Sequence, residues 1–506
     1  MVRQKITKFL NKIHTPPWVV GILGGVFLLR IPSFFEPFSY GDEMIYLSLG
    51  EAVKRGLTLY KDIHDNKPPL LYFLAAIAGN VFWFRVILAF WMMATVVIFW
   101  KLTQALFPAS RQGGPKKTKV QKVAVGAFAI LTTIPLFEGQ IANAEVFMAG
   151  PTILAFLILL AGKDRLANIF LAGVLFAVAA LFKIPAALDA PVIVLLWLIT
   201  SKGVRKSLAK ITRKTIFLAL GFVLPIALSL AWYYSKGALN NYLTAAFGQN
   251  IGYLSSFRPQ DTEAPFLQRN GPLLIRSGIV GLGLLLLFNW RKKLSPTFIF
   301  ASLWLLFSLF AVTLSERPYP HYLIQIVPSI SLLIAIFVGY KNIEQTLVII
   351  PLTLAALVLV YFKFWYYPTI PYYARFLEFA SGKITKQEYF ARFDGNVNRN
   401  YEISKLIAAS TTPDDKVFVW GDSPPIYALA RRLPPIKYLA GYHIHDFSSP
   451  EDVLGALEEQ NPKIIVVLPE SPSFPKLQSL LDSKYLFIAT VEDAKIWRLA
   501  NSNSPQ

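Results

Sequence analysis

The chain has 506 residues and a formal net charge of +20, is 54% hydrophobic and 16% charged, and has a mean hydropathy of +0.47. Soluble globular domains run nearer ~25% charged residues, so this composition excludes a string of soluble domains and indicates a polytopic membrane protein. The positive charges lie in short clusters between apolar runs, as the positive-inside rule requires and nucleic-acid binding does not, and the absence of cysteine excludes disulfides, a thiolate nucleophile and a thiolate metal site.

The N-terminus is basic through Arg3, Lys5, Lys8 and Lys12, and an apolar stretch from Trp18 to Leu29 follows. Pro32, Phe34 and Phe35 come next in place of a small-residue cleavage site, so the stretch reads as a retained signal-anchor. Apolar runs able to cross ~30 Å of hydrocarbon lie near residues 17–34, 85–107, 123–138, 146–162, 167–183, 185–200, 215–234, 272–290, 296–314, 321–340 and 345–366, eleven in all. The run from Pro68 to Phe84 is ambiguous.

Charge decides how that run is treated. The most basic connections are 108–122 (Arg111, Lys116, Lys117, Lys119, Lys122), 201–214 (Lys202, Arg205, Lys206, Lys210, Arg213, Lys214) and 291–293 (Arg291, Lys292, Lys293). All of them fall on the cytoplasmic side with the N-terminus only if 68–84 lies in the interface or dips in and returns. Residues 33–84 then form one long extracytoplasmic loop, 236–271 and 315–320 lie on the same side, and the C-terminal tail ends outside.

In the first loop Ile45, Leu49, Ala52 and Val53 fall at i, i+4, i+7 and i+8, with Glu43, Glu51, Lys54 and Arg55 off that stripe. The spacing predicts an amphipathic helix lying on the membrane. Asp42 stands at its start, where a carboxylate can cap open N–H groups, and Gly56 suits its C-terminal end. After Tyr367 the chain becomes polar. Lys416–Trp420, Ile436–Ala440, Lys463–Leu468 and Tyr485–Val491 look like strands, and Pro424–Arg431, Pro450–Glu459 and Pro475–Leu481 look like helices. This alternation predicts a small α/β domain with a largely parallel sheet, extracytoplasmic by parity. The expected fold class is a polytopic α-helical membrane protein of about 11 transmembrane helices plus interfacial helices, with a small C-terminal α/β domain. The expected organisation is a transmembrane catalytic domain over 1–366 that includes the loop 33–84, a linker 367–394, a soluble domain 395–500 and a tail 501–506.

The segment 39–73 sets Asp42, Glu43, Asp62, Asp65 and Lys67 beside runs that can cross a bilayer, and ionisable groups held there are costly and usually functional. Asp42 with Glu43 reads either as a general base for an acceptor hydroxyl or as a capping aspartate beside a solvated glutamate. Lys67, before Pro68 and Pro69, suits a lipid phosphate or snorkels to headgroups. Glu138 and Glu145 flank a polar turn between two spans; Glu145 is the functional candidate, able to hold the acceptor or the sugar, and Glu138 reads as an exposed loop glutamate. In the stretch Glu316 to Tyr322, Arg317 offers a planar fork for phosphate oxygens, and His321 and Tyr322 offer further donors; an aromatic belt with a headgroup arginine is the alternative. Lys183, ending an outward-going span, is a second phosphate contact or a snorkelling lysine, and Arg85 shares that ambiguity. His443 and His445 read as surface-loop residues without a third metal ligand. No Walker loop, G-x-S-x-G or H-E-x-x-H sequence is present.

The run Tyr40-Gly41-Asp42-Glu43 with Tyr46, followed by Asp65-Asn66-Lys67-Pro68-Pro69-Leu70-Leu71-Tyr72, resembles the first extracytoplasmic loop of the GT-C membrane glycosyltransferases. The likeness is to the branch of protein O-mannosyltransferases and lipid A aminoarabinose transferase. His321 to Pro328, the acidic Glu145 and Lys183-Ile184-Pro185 are similar to further motifs of that branch.

The resemblance implies inverting transfer of a hexosyl or pentosyl group from a polyprenyl-phosphate donor to an acceptor hydroxyl on the extracytoplasmic face of the cytoplasmic (inner) membrane. It implies Asp42 as acid/base with Glu43 and Glu145 as companion carboxylates, and Lys67, Lys183, Arg317, His321 and Tyr322 as lipid-phosphate contacts. No cofactor is certain: some GT-C enzymes need a divalent metal and others do not, and this chain has no all-carboxylate cage. The implied partners are the lipid-linked donor, membrane lipids and a lipid, glycan or protein acceptor, with no nucleic acid. The chain lacks the large inserted domain of the protein O-mannosyltransferases, which leaves a protein acceptor open. A transporter or flippase of a lipid-linked sugar is the alternative; it calls for internal repeats or broken helices at mid-membrane, and here no repeat occurs and the ionisable residues gather at one face.

Overall fold

The computed structural model describes residues 15–107, 117–201, 204–252 and 265–500. Arg3, Lys5, Lys8, Lys12, Arg111, Lys116, Lys202 and the tail 501–506 lie outside the described residues.

The chain is a helical, multi-pass membrane protein. Among the described residues eight helices are long and apolar enough to cross a bilayer: Pro17–Phe35, Val81–Leu106, Ala144–Ala161, Ser207–Ser235, Phe266–Trp290, Pro296–Thr313, Pro320–Gly339 and Ile343–Tyr361. The other three predicted spans are also helical but shorter, at Lys117–Leu131, Leu166–Phe182 and Ile184–Thr200. Lys183, which ends one of them, is extended at φ −155°. Ile134 is likewise extended at ψ 158°, as the residue directly before a proline, here Pro135, favours.

The ambiguous run 68–84 divides. Leu70–Ala78 is a nine-residue helix that stops at Gly79, whose φ of 70° is left-handed. Nine residues rise only ~13 Å, against ~30 Å of hydrocarbon, so this helix does not span. The chain then turns directly into Val81–Leu106.

The fold divides into two compact units. The first comprises the N-terminal helix through Ser33, Arg85–Tyr234 and Phe247–Thr369. Its helices meet through small residues and aromatic packing. A Cβ at Gly173 would sit 2.1 Å from the Leu218 carbonyl oxygen, and one at Gly221 would sit 2.0 Å from that of Phe170. Only glycine admits this close helix crossing, a common device where lipid removes the hydrophobic drive between helices. Phe99 stacks on Phe128 at 4.4 Å between centroids, and Phe156 packs against Phe300 and Trp304.

The second unit comprises Phe34–Phe84, Ser235–Ala246 and the chain from Ile370 onward. The predicted first-loop helix is Gly41–Lys54, closed at its end by Gly56 with φ 88°. Two features differ from expectation. The helix begins with Tyr40 as N-cap and no side-chain cap, so Asp42 lies inside the first turn. Every residue from Glu43 to Gly50 is buried, so the helix is an interior element, with Leu70–Ala78 and Pro424–Ala430 packed on it. Gly50 allows the first contact: a Cβ there would lie 2.5 Å from the Ala76 nitrogen. At the helix end Glu51 pairs with Arg55 at 2.9 Å and Arg431 at 2.6 Å.

The C-terminal α/β part holds four strands, β1 (Val417–Trp420), β2 (Ile464–Val467), β3 (Tyr485–Val491) and β4 (Ala494–Leu499), in the order β1-β2-β4-β3. Only β1 and β2 are parallel; β4 runs antiparallel to both neighbours. The sheet is therefore mixed, where a largely parallel one was predicted. The cause is a β3–β4 hairpin whose turn residues Glu492 and Asp493 both take positive φ, as a tight two-residue hairpin turn demands. The apolar run Ile436–Ala440 buries Tyr438, Leu439 and Ala440 without joining the sheet. Helices form at Pro424–Ala430, Pro450–Gln460 and Pro475–Lys484, each opened by proline, which is preorganised for a first helical turn. The core gathers Phe418, Ile465, Val453, Leu457, Leu477 and Leu481.

Candidate active site

The sequence-predicted site residues fall into two clusters, one in each unit. In the second unit, helical spacing sets Tyr46 one turn above Asp42, and the Tyr46 hydroxyl donates to Asp42 Oδ2 at 2.9 Å. The Lys67 ammonium lies 3.5 Å from Asp42 Oδ2, 3.8 Å from Asp65 Oδ2 and 5.0 Å from the centre of the Tyr46 ring. The backbone of Lys67 is fixed on both sides: its carbonyl accepts from the Tyr60 hydroxyl at 2.7 Å, and its N–H donates to the Tyr72 oxygen at 3.3 Å. Tyr72 in turn donates to Asp65 Oδ2 at 2.8 Å. Burial and the neighbouring Asp65 carboxylate push the Tyr72 hydroxyl well above its ordinary range, which keeps it a donor.

The result is a graded row of charge. Asp65 is closed off at 1% exposure, while the side chains of Lys67 and Asp42 keep 22% and 31%. A carboxylate so placed is anchored yet able to reach a ligand. Glu43 differs from its neighbour: it is fully buried, which corrects the reading of a solvated glutamate. His443 is also buried, with Nε2 3.7 Å from Asp65 Oδ1, which corrects the surface-loop reading. Burial holds its pKa below the ordinary value, although Asp65 pulls the other way.

In the first unit, Glu145 opens the helix Ala144–Ala161, Lys183 caps Leu166–Phe182, and His321 and Tyr322 lie in the 3-10 turn Pro320–Ile326. The fold brings these four together. Lys183 forms an ion pair with Glu145 and stands 3.5 Å from the centre of the Tyr322 ring. His321 Nε2 is 3.8 Å from Glu145, and Nδ1 contacts Glu138. Glu138 is buried, not an exposed loop glutamate. Its turn folds inward because Gly139 lies against Thr132: a Cβ there would be 2.4 Å from the Thr132 oxygen. Arg317 is exposed, and its N–H approaches Ser315 Oγ at 3.4 Å. Beside it Arg276, hidden from sequence reasoning inside an apolar helix, pairs with Glu316 and donates to the Thr313 carbonyl at 2.6 Å.

Beneath this cluster Asp189 ties the two short 3-10 turns together. Its carboxylate accepts from Ser308 Oγ at 3.0 Å and from Gln325 Nε2 at 3.2 Å, and Gln325 also donates to the Pro185 carbonyl at 3.1 Å. The turn carrying His321 and Tyr322 is thereby stapled to the one that follows Lys183. Among the described residues no group of three or more His, Asp or Glu is arranged to hold a metal ion.

No family model matches the chain, and no curated protein matches it. Solved structures do. ArnT from Cupriavidus metallidurans bound to undecaprenyl phosphate is similar with a TM-score of 0.57 at 14% identity, over 97% of this chain and 99% of that one. The same protein in its apo state gives 0.55 at 14% identity, again over 97% and 99%. At that identity the likeness is one of fold. In fold the chain is similar to ArnT along nearly its whole length.

Proposed function

We propose that this protein is an integral membrane glycosyltransferase that moves a sugar, with inversion, from a polyprenyl-phosphate donor to an acceptor hydroxyl on the extracytoplasmic face. The observation that carries the reading is the Asp42–Lys67–Asp65 row: a partly exposed carboxylate held at 3.5 Å by an ammonium that a buried second carboxylate anchors. The fold likeness to an ArnT structure containing undecaprenyl phosphate supports a lipid-phosphate donor.

In the step, the acceptor oxygen attacks the anomeric carbon on the face opposite the phosphate. Asp42 takes the hydroxyl proton as the new C–O bond forms. The bond from the anomeric carbon to the phosphate oxygen breaks, and its electron pair leaves on the polyprenyl phosphate. Preorganised cations stabilise that growing charge; Lys67, which shares a unit with Asp42, is the proposed phosphate contact. Glu145 and Glu138 hold Lys183 and His321 in place, and the buried Glu43 belongs to the support of the Asp42 helix.

The test is purified protein given radiolabelled hexosyl- and pentosyl-phosphate polyprenols, scored for lipid phosphate released together with transferred sugar. A positioned general base contributes ~10²–10⁴-fold, so Asp42→Asn should lose at least ~10²-fold in turnover with an unchanged melting temperature. Near wild-type turnover in that variant would overturn the assignment. A flippase would move labelled donor across proteoliposomes without consuming it.

A further inference from the structure

Beside Asp42, the second unit contains a cavity of about 220 Å³. Its walls come from two distant parts of the sequence, the start of the first-loop helix and the C-terminal part of the chain around 394–400, 422–425 and 442. The lining is predominantly polar, with Asp42, Asp394, Asn396, Asn400, Asp422 and Tyr442 among it, and Ile45, Val397 and two prolines add an apolar side. The one arginine among the lining residues, Arg399, is bound through two hydrogen bonds of 3.0 and 2.7 Å to Glu470. Asn400 is 5% exposed, and its Oδ1 has no hydrogen-bond partner among the described residues. Asp422 is fixed through the Gly441 N–H at 3.1 Å, and its burial raises its pKa.

This chemistry selects its occupant. Carboxylates and a carboxamide oxygen need donors, so the ligand must carry several O–H or N–H groups. Among the described residues the one cation in the wall, Arg399, is already paired with Glu470, and Asp42, Asp394 and Asp422 remain, so a phosphate or carboxylate ligand would meet net repulsion. The volume lies below the ~300–1,000 Å³ typical of drug-sized ligands, too little for a folded peptide segment or an acyl chain and suited to one polar ring. An exposed tyrosine beside clustered hydroxyl acceptors offers an apolar face for such a ring.

Resting on the transferase reading above, we propose that this cavity is the acceptor site and that it takes a single hydroxyl-rich sugar residue without negative charge, presented so that one hydroxyl reaches Asp42. The C-terminal α/β part is then the specificity element: it supplies Asn396, Asn400, Asp422 and Tyr442, while the first loop supplies the base. The proton balance is that of the transfer step. The acceptor hydroxyl proton passes to Asp42, the acceptor oxygen bonds the anomeric carbon, and the lipid phosphate departs with the electron pair.

The experiment uses the full chain in detergent and needs no donor. Saturation-transfer difference NMR is recorded with methyl glycosides of glucose, galactose, mannose, arabinose and N-acetylglucosamine, with methyl glucuronide as the anionic control. At least one uncharged glycoside should give a saturable signal at millimolar concentration, and the glucuronide none. Asn400→Leu and the partly exposed Tyr442→Ala should each cut that signal at least fivefold. Melting curves identify a variant that fails to fold, and the exposed position of Tyr442 keeps the second variant informative. Absence of signal from every glycoside, equal binding of the glucuronide, or signals unchanged in folded variants would overturn the proposal. Glycoside binding without consumption of any lipid-linked donor would sink the transferase reading and leave the sugar site standing. Transfer to a peptide or lipid hydroxyl without glycoside binding would do the reverse.

Discussion

Lys67 answers to two carboxylates at once, and its removal separates their roles. Asp65 is buried and would lose its nearest cation, whereas Asp42 keeps the Tyr46 hydroxyl and some solvent. Breaking a fully buried pair costs ~3–5 kcal/mol; the 22% exposure of Lys67 lowers the expectation for Lys67→Met to ~1–3 kcal/mol, read as a fall in melting temperature together with lost sugar transfer. A loss of transfer with no change in melting would mean that Lys67 serves the ligand and not Asp65. His443 gives a pH signature in the same cluster. It faces Asp65, Asp42, Asp422 and Lys67 and stacks edge-on with His64 at 5.8 Å. Burial lowers its folded pKa below the ordinary 6.5, so between those two values the unfolded chain binds more protons. Its contribution to stability is therefore complete above pH 6.5 and is lost as pH falls below it. The melting temperature should drop on acidification from pH 7.5 to 5.5, and His443→Gln should flatten that slope; an equal slope in the variant would refute the assignment. Asp42 and Lys67 were legible because they sit in one short polar run. His443 and Glu138 were not, because their partners lie far along the chain: Glu138 and His321 are 183 residues apart, and no local pattern carries that contact.

At the scale of elements, hydropathy and proline were enough to place the helices, since each apolar run must satisfy its own backbone hydrogen bonds. The buried face of Gly41–Lys54 was misread for a related reason. An i, i+4, i+7 stripe shows which side is apolar but not that a second element covers the polar side, where the sequentially distant Arg431 reaches Glu51. The sheet suffered similarly. Strand β4 alternates Lys and Arg with apolar residues and reads as polar, whereas Ile436–Ala440 is apolar but follows Pro434 and Pro435, which cannot donate to a ladder. Close packing of Gly41–Lys54 on Leu70–Ala78 depends on Gly50. In Gly50→Val, side-chain atoms would have to displace the Ala75–Ala76 backbone. Overpacking costs ~1–3 kcal/mol, occasionally more, and here rigid backbone is the obstacle, so the variant should melt lower by at least that amount and lose transfer along with Asp42 placement. Wild-type melting with full activity would show that the two helices separate without consequence.

For the whole molecule the decisive question is which side of the bilayer each helix end occupies, and contacts within the first unit bear on it. Arg30 Nη2 donates to the Thr132 carbonyl at 2.8 Å. If residues 68–84 crossed the membrane, an extra pass would put those two helix ends on opposite sides of ~30 Å of hydrocarbon; with Leu70–Ala78 as a non-spanning helix they share one side. Glu145 with Lys183, Glu138 with His321 and Arg276 with Glu316 also join ends that parity sends outside. Thr297 with the Leu106 carbonyl at 2.7 Å, Lys214 with Asp164 at 2.6 Å and Ser295 with Glu344 join ends that it sends inside. The proposed reaction needs the first loop and the C-terminal part outside, where a lipid-linked sugar would be met, and that placement is open to a direct test. The cysteine-free sequence makes the test clean, because each introduced thiol is the sole target for a membrane-impermeant maleimide. Lys61→Cys, Lys236→Cys and Lys405→Cys, all at exposed positions, should label in intact cells. Lys163→Cys and Lys292→Cys, also exposed, should label only after permeabilisation. Labelling of position 61 that required permeabilisation would place Asp42 in the cytosol, away from any extracytoplasmic donor, and the proposed reaction could not occur there.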